Sequence, residues 1–366
     1  MQPLHVTDSN ATRFDIAPQH GPRPLPLFLA MLRSETATSP DRRARALAGL
    51  HLYQTAGRET PQAPRPVRDR IGRVTLRDYG DAAPGRRSIV VVPSLINPAA
   101  ILDLSAETSL MQWLASRGHH ACLLDWGSPS SADQDLDLTA HVERFLVPLL
   151  QRFDVPPVLV GYCLGGTLAV AAAAVTAAAG RPLAGLATIA APWQFSGYGT
   201  TARADMARLW RSAAPFAHQL GMLPMEVLQA GFWRLAPART IAKYEGFADL
   251  APASDAARAF VRLEDWANAG APIPRAAAAQ LFDAMIANDL PGRGRWRIGD
   301  VCVDPAALGC PAVEFVARND RIVPAATAIG LPDRRDVAAG HVGMIVGSRA
   351  RTQLWDPLAN WIDALG

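Results

Sequence analysis

Cysteine is scarce in this chain, with four in 366 residues: Cys122, Cys163, Cys302 and Cys310. None belongs to a C-x-x-C pair and no histidine spacing accompanies them, so zinc and other metals are not expected. The low count suits a reducing compartment and excludes a disulfide scaffold. Long apolar runs are lacking as well. The longest, residues 168–179, is broken by Thr176 and too short to span a bilayer, so no transmembrane segment is expected. The opening MQPLHVTDSNATRFDIAP contains acidic residues and no apolar stretch of signal-peptide type, and the chain reads as cytoplasmic. No excess of one charge exists either: the formal balance is +3. Arginine greatly outnumbers lysine, but in scattered pairs such as Arg42–Arg43, Arg86–Arg87 and Arg334–Arg335, which is solvated surface and no nucleic-acid footprint.

What remains is a chain that is 49% hydrophobic and long enough for one large α/β domain with an insertion. Residues 1–70 are rich in Pro and Arg, with one helix expected over 26–56, interrupted near Thr38–Pro40, and an extended linker over 57–70. From 71 to 366 a catalytic domain is expected. Short β-branched runs at 88–93, 120–125, 158–161, 186–190 and 312–316 alternate with helical patterns, as in a mostly parallel sheet covered by helices on both faces. Residues 194–295 lose that alternation, hold three of the nine tryptophans and read as helical: a cap inserted over the cleft.

The sharpest local signal is Gly161-Tyr-Cys163-Leu-Gly165-Gly166, a strand–turn–helix crossing with small residues on both sides of a nucleophile. Such an elbow is tight enough to require them, and the helix that follows points its N-terminus at the sulfur, favouring the thiolate. In the α/β-hydrolase fold an acid and then a histidine follow the nucleophile in the chain. Asp320 comes directly after the strand pattern at 312–316, and His341, in the Gly-flanked Gly340-His-Val-Gly343, is the only one of eight histidines beyond it. Asp333 and Asp336 compete as the acid but sit in a charged run that reads as an exposed turn. His341 would take the Cys163 proton while Asp320 holds the imidazole. The Leu164 amide would supply one oxyanion donor, and the loop 93–97 the second. A thiol nucleophile keeps the acyl group activated as a thioester, which points to transfer from a thioester donor more than to ester hydrolysis.

Over residues 85–366 the chain resembles the polyhydroxyalkanoate synthases. The likeness rests on Gly161–Gly166, on Pro93-Ser-Leu-Ile96-Asn97 with Ile101-Leu-Asp103-Leu104, on Asp125-Trp126-Gly127, on Asp320-Arg-Ile-Val-Pro324 and on Gly340–Gly343. Two positions depart from the family pattern: Arg321 stands where histidine is usual, and Pro98-Ala99-Ala100 replaces a basic and an aromatic residue. The short region before the core is similar to that of the smaller synthases. The resemblance implies a polymerase that uses (R)-3-hydroxyacyl-CoA as substrate and needs no other cofactor. Cys163 would carry the chain and the amides of Ile96 and Leu164 would form the oxyanion hole. It also implies a homodimer or a separate partner subunit at the surface of polyester granules. A thioesterase, esterase or depolymerase using the same triad, and a non-catalytic granule-associated homologue, are the alternatives.

Overall fold

The computed structural model describes residues 20–59, 63–81, 83 and 86–365. Residues 1–19, and 60–62 of the expected linker, lie outside the described residues. Eight strands make one sheet: β1 (Val67–Ile71), β2 (Val74–Asp78), β3 (Ser88–Val92), β4 (His120–Asp125), β5 (Val158–Tyr162), β6 (Gly185–Ile189), β7 (Ala312–Ala317) and β8 (Asp333–Val337). Their spatial order is β1-β2-β4-β3-β5-β6-β7-β8. The last six strands in that order pair in parallel, whereas β1–β2 and β2–β4 are antiparallel. This is the α/β-hydrolase fold that the alternating pattern predicts. The interior strands are apolar runs because both faces are covered; every residue of β5 and β6 is buried.

Two strands differ from expectation. The stretch read as linker ends in β1, a half-exposed strand bearing Arg68, Asp69 and Arg70. The charged run 333–336, read as an exposed turn, is the edge strand β8, in which only Val337 is buried. Charge on an edge strand blunts further pairing, so its composition imitates a turn.

Helix α1 (Leu25–Glu35) and helix α2 (Pro40–Thr55) meet at the break predicted near Pro40, with Ser39 capping α2. They do not pack on the sheet. Their apolar side chains Phe28, Leu32, Leu50 and Tyr53 share a separate core with Trp233, Ile241, Tyr244, Phe247 and Val261, all from the inserted block. Gly49 lies so close to the Tyr244 carbonyl that a Cβ would stand 1.9 Å from that oxygen. Arg42–Glu245 at 2.8 Å, and Asp265 bridging Tyr53 (2.6 Å) and Arg58 (3.0 Å), complete the junction.

Candidate active site

Every expected site residue follows the carboxyl end of a parallel strand, where this kind of sheet gathers ligands. Cys163 follows β5 with φ +57, a left-handed backbone that a cysteine adopts only under constraint. The constraint is visible. The Cys163 amide donates to the Ile189 carbonyl at 2.9 Å, and the Gly166 amide donates to the Cys163 carbonyl at 2.8 Å. A Cβ on Gly161 would lie 2.4 Å from the Cα of Gly166, and one on Gly165 would lie 2.3 Å from the Val92 oxygen. The spacing G-x-C-x-G-G is thus a close-packing requirement between the turn and its neighbours. The helix that follows, α3 (Leu164–Ala178), buries Ala169 and Ala171–Ala173 completely, small side chains letting it lie close on the sheet. Leu164 is its first residue, so its amide has no intrahelical acceptor.

Asp320 and His341 sit on two loops zipped together. Arg318 and Asn319 donate their amides to the carbonyls of Val337 and Ala339, at 2.9 and 3.0 Å. The Asp320 side chain, fully buried, uses both oxygens. Oδ1 accepts the amides of Ile322 and Val323 at 2.8 Å each, and Oδ2 accepts from His341 Nδ1 at 2.6 Å. Asp333 and Asp336 are engaged elsewhere, with Arg335 and Arg334. Arg321, next to the acid, is exposed. Burial alone would drive His341 to its neutral form. Negative charge on the Cys163 sulfur, hydrogen bonds to Asp320 and to that sulfur, and the Asp320 charge outweigh it and push the pKa up to about 10. With Nδ1 committed to Asp320, Nε2 is the nitrogen left for Cys163.

Cys163 and His341 line one cavity of about 210 Å³ together with Ile96, Asn97 and Ile101 from the loop after β3. The inserted block supplies the opposite wall through three helices: α4 (Met225–Leu235), α5 (Pro237–Phe247) and α6 (Asp255–Asn268). Their contributions are Gln229, Phe232, Trp233, Thr240, Lys243 and Trp266. Lys243 is the only lysine of the chain, and Glu264 holds its ammonium at 2.7 and 2.8 Å.

The Ile96 amide, expected to serve an oxyanion, donates to Ser94 Oγ at 3.2 Å. Serving a substrate therefore means exchanging one oxygen acceptor for another. The loop that carries it is pinned at three points. Trp126 Nε1 donates to the Pro93 carbonyl at 3.0 Å, which accounts for the Asp-Trp-Gly step. Trp266 Nε1 donates to the Pro98 carbonyl at 2.8 Å, and Gly270 backs onto the Ile96 carbonyl. Sequence reasoning missed Ser94, Trp266 and also Tyr162. The Tyr162 ring stacks on His341 at 5.1 Å between centroids and its hydroxyl donates to the His341 carbonyl at 3.2 Å. Within an apolar strand Tyr162 reads as core, and only the chain's return at 341 gives it a partner. Of the other cysteines, Cys122 is buried, Cys310 half-buried and Cys302 exposed.

No family model matches the chain. It is similar to the poly(3-hydroxyalkanoate) polymerase subunit PhaC of Haloarcula marismortui, 26% identical over 287 residues covering 75% of this chain. That match spans 60% of the relative's length, less than two thirds. The corresponding subunit of Allochromatium vinosum is 25% identical over 302 residues, 78% of this chain and 84% of the relative. Among solved structures, a lipase in its open form aligns over 80% of this chain and 94% of its own at a TM-score of 0.51, with 16% identity, which is a likeness of fold.

Proposed function

We propose that this chain, a homologue of the poly(3-hydroxyalkanoate) polymerases, is an acyltransferase that builds polyester from (R)-3-hydroxyacyl-CoA through a thioester on Cys163. The observation that carries the reading is the Cys163 sulfur on a strained elbow beside a histidine already held by a buried carboxylate, within a small, mostly apolar cavity.

The chemistry follows from the charges. His341 accepts the thiol proton, and the sulfur attacks the thioester carbonyl. The oxyanion meets the amide of Leu164 and, once Ser94 yields it, that of Ile96. The bond to CoA breaks and the departing sulfur takes the proton from His341. Acylation removes the negative charge from Cys163, the strongest of the influences that hold the His341 proton. The imidazole thereby loses proton affinity and is ready to act as base towards the next hydroxyl, which attacks the Cys163 thioester and forms the ester. Thioester exchange is nearly isoenergetic and ester formation is downhill, so the cysteine stores the driving force between the two steps. The walls of Phe232, Trp233 and Trp266 give an acyl chain an apolar surface and leave little room for bulk water.

The test supplies the purified chain with (R)-3-hydroxybutyryl-CoA and follows both CoA release and the fate of the acyl group. Expected are CoA release with polymer as the main product, and release at background for Cys163→Ala. Unchanged release in Cys163→Ala would sink the assignment; free acid accumulating in step with CoA would make the protein a thioesterase.

A further inference from the structure

At the opposite end of the strands from Cys163 lies a second set of reactive side chains that the proposed chemistry does not use. Asp78 on β2 pairs directly with Cys122 on β4, and His120 stands two residues before Cys122, so all three project from one face of the sheet. One ligand atom from each lies within 4.8 Å of the others. His120 Nε2 is 3.2 Å from Asp78 Oδ1 and 3.4 Å from Cys122 Sγ. Ligands about 2.0–2.3 Å from a tetrahedral zinc stand roughly 3.3 Å apart for a nitrogen–oxygen pair and about 3.6 Å for nitrogen–sulfur. Both distances from the imidazole nitrogen are already close to that spacing.

We propose that Asp78, His120 and Cys122 form a binding site for a zinc-type divalent cation, with water as the fourth ligand. The surroundings are those of ligands held from behind. His120 Nδ1 is 3.2 Å from Ser88 Oγ, its register partner on β3, and donating that proton turns the Nε2 lone pair towards Asp78 and Cys122. The Gly80 amide donates to Asp78 Oδ1 at 3.0 Å. Cys122 is fully buried, while His120 and Asp78 retain 14% and 26% side-chain exposure, which leaves the cluster reachable from solvent. A thiolate, an imidazole and one carboxylate suit zinc and not magnesium or calcium. Paired-cysteine spacing could not reveal this set, because it is divided between two strands that are distant in sequence.

Burial first, and then the charge of Asp78, push the Cys122 thiol up to about 12, with Asp69 adding to the effect and Arg68 opposing it. A zinc-type cation takes the thiol as thiolate, so binding expels the Cys122 proton to solvent. Bound metal would tie β2 to β4 and raise the melting temperature.

The test titrates Co²⁺ into the chelator-treated chain carrying Cys163→Ala, which removes the sulfur beside His341 from competition. Expected are one equivalent bound, a near-ultraviolet thiolate-to-cobalt absorption, and its loss on adding Zn²⁺. Cys122→Ser should abolish the band. Asp78→Asn, at a partly exposed position that does not threaten folding, should weaken binding by about tenfold or more. Absence of the band overturns the proposal, as does a band that survives both substitutions, which would assign the metal to Cys302 or Cys310.

Discussion

Replacing Asp320 by asparagine separates its two tasks. The retained amide oxygen can still accept the amides of Ile322 and Val323, so the loop keeps its shape. The new NH₂ group, however, faces His341 Nδ1 where an acceptor stood at 2.6 Å. To recover a hydrogen bond the imidazole must move its proton to Nε2, the nitrogen that receives the Cys163 proton in the proposed mechanism. The imidazolium also loses its counter-charge. At a charge separation of about 4 Å and an effective dielectric of about 20, that attraction is roughly 4 kcal/mol, or about a thousandfold in rate. With the tautomer penalty added, CoA release should fall by about 10³ to 10⁴, in line with carboxylate-to-amide changes in other triads. Initial rates read with a thiol-reactive dye measure the loss, and scanning calorimetry checks that the melting temperature stays put. Asp320→Ala should lose activity equally and stability too, because two buried amides are left without an acceptor at about 1–3 kcal/mol each. Retention of more than about a tenth of the rate by Asp320→Asn would refute the reasoning.

Iodoacetamide at neutral pH should label Cys163 well before Cys122 and Cys310, whose thiols are pushed up to about 12 and about 11, by burial first in both. A raised thiol pKa means less thiolate at neutrality, so those two should gain about tenfold in rate per pH unit up to their pKa values; peptide mapping that finds Cys163 no faster than Cys122 contradicts the site. Trp266→Phe removes one hydrogen bond to the Pro98 carbonyl, worth about 1 kcal/mol, and should lower kcat/KM about fivefold with little change in melting temperature. An unchanged kcat/KM would mean that the Ile96 loop needs no support from the inserted helices.

Much of the site was legible because its constraints are local or ordinal. The elbow needs small residues within a few positions of Cys163, and the fold delivers acid and histidine in a fixed order, so Asp320 and His341 could be chosen from position alone. The misreadings come from edges and from long-range partners. Strand β1 and strand β8 are half-exposed, and charged side chains hide their period. The helix Pro237–Phe247, which brings Thr240 and Lys243 to the cavity, lies within the block read as helical, but its role is hidden because its apolar face is divided between the cavity and the second core. Ser94, Tyr162 and Trp266 owe their roles to partners that are two, 179 and 168 residues away, and no periodicity encodes such pairs.

On the proposed function, the second core also bears on how a long product would leave. A cavity of about 210 Å³ is below the roughly 300–1,000 Å³ of common ligand pockets, so it holds an acyl unit and not a polymer. A growing chain would have to exit by displacing a wall, and the walls differ in what it takes to move them. The sheet side is continuous with the main core. The helical side meets the Ile96 loop through one indole hydrogen bond and the close approach of Gly270, while Val227, Leu228, Phe232, Leu263 and Trp266 pack against the main core. Towards α1 and α2 the same helices are fastened by a shared apolar cluster, by the Arg42–Glu245 pair and by Asp265. Separating those would expose Phe28, Tyr53, Trp233 and Tyr244 to water, and burying even one such side chain is worth about 1.5–3 kcal/mol. An opening in which residues 25–58 travelled with the inserted helices would leave that cluster intact, and the seam to part would be the one beside Cys163.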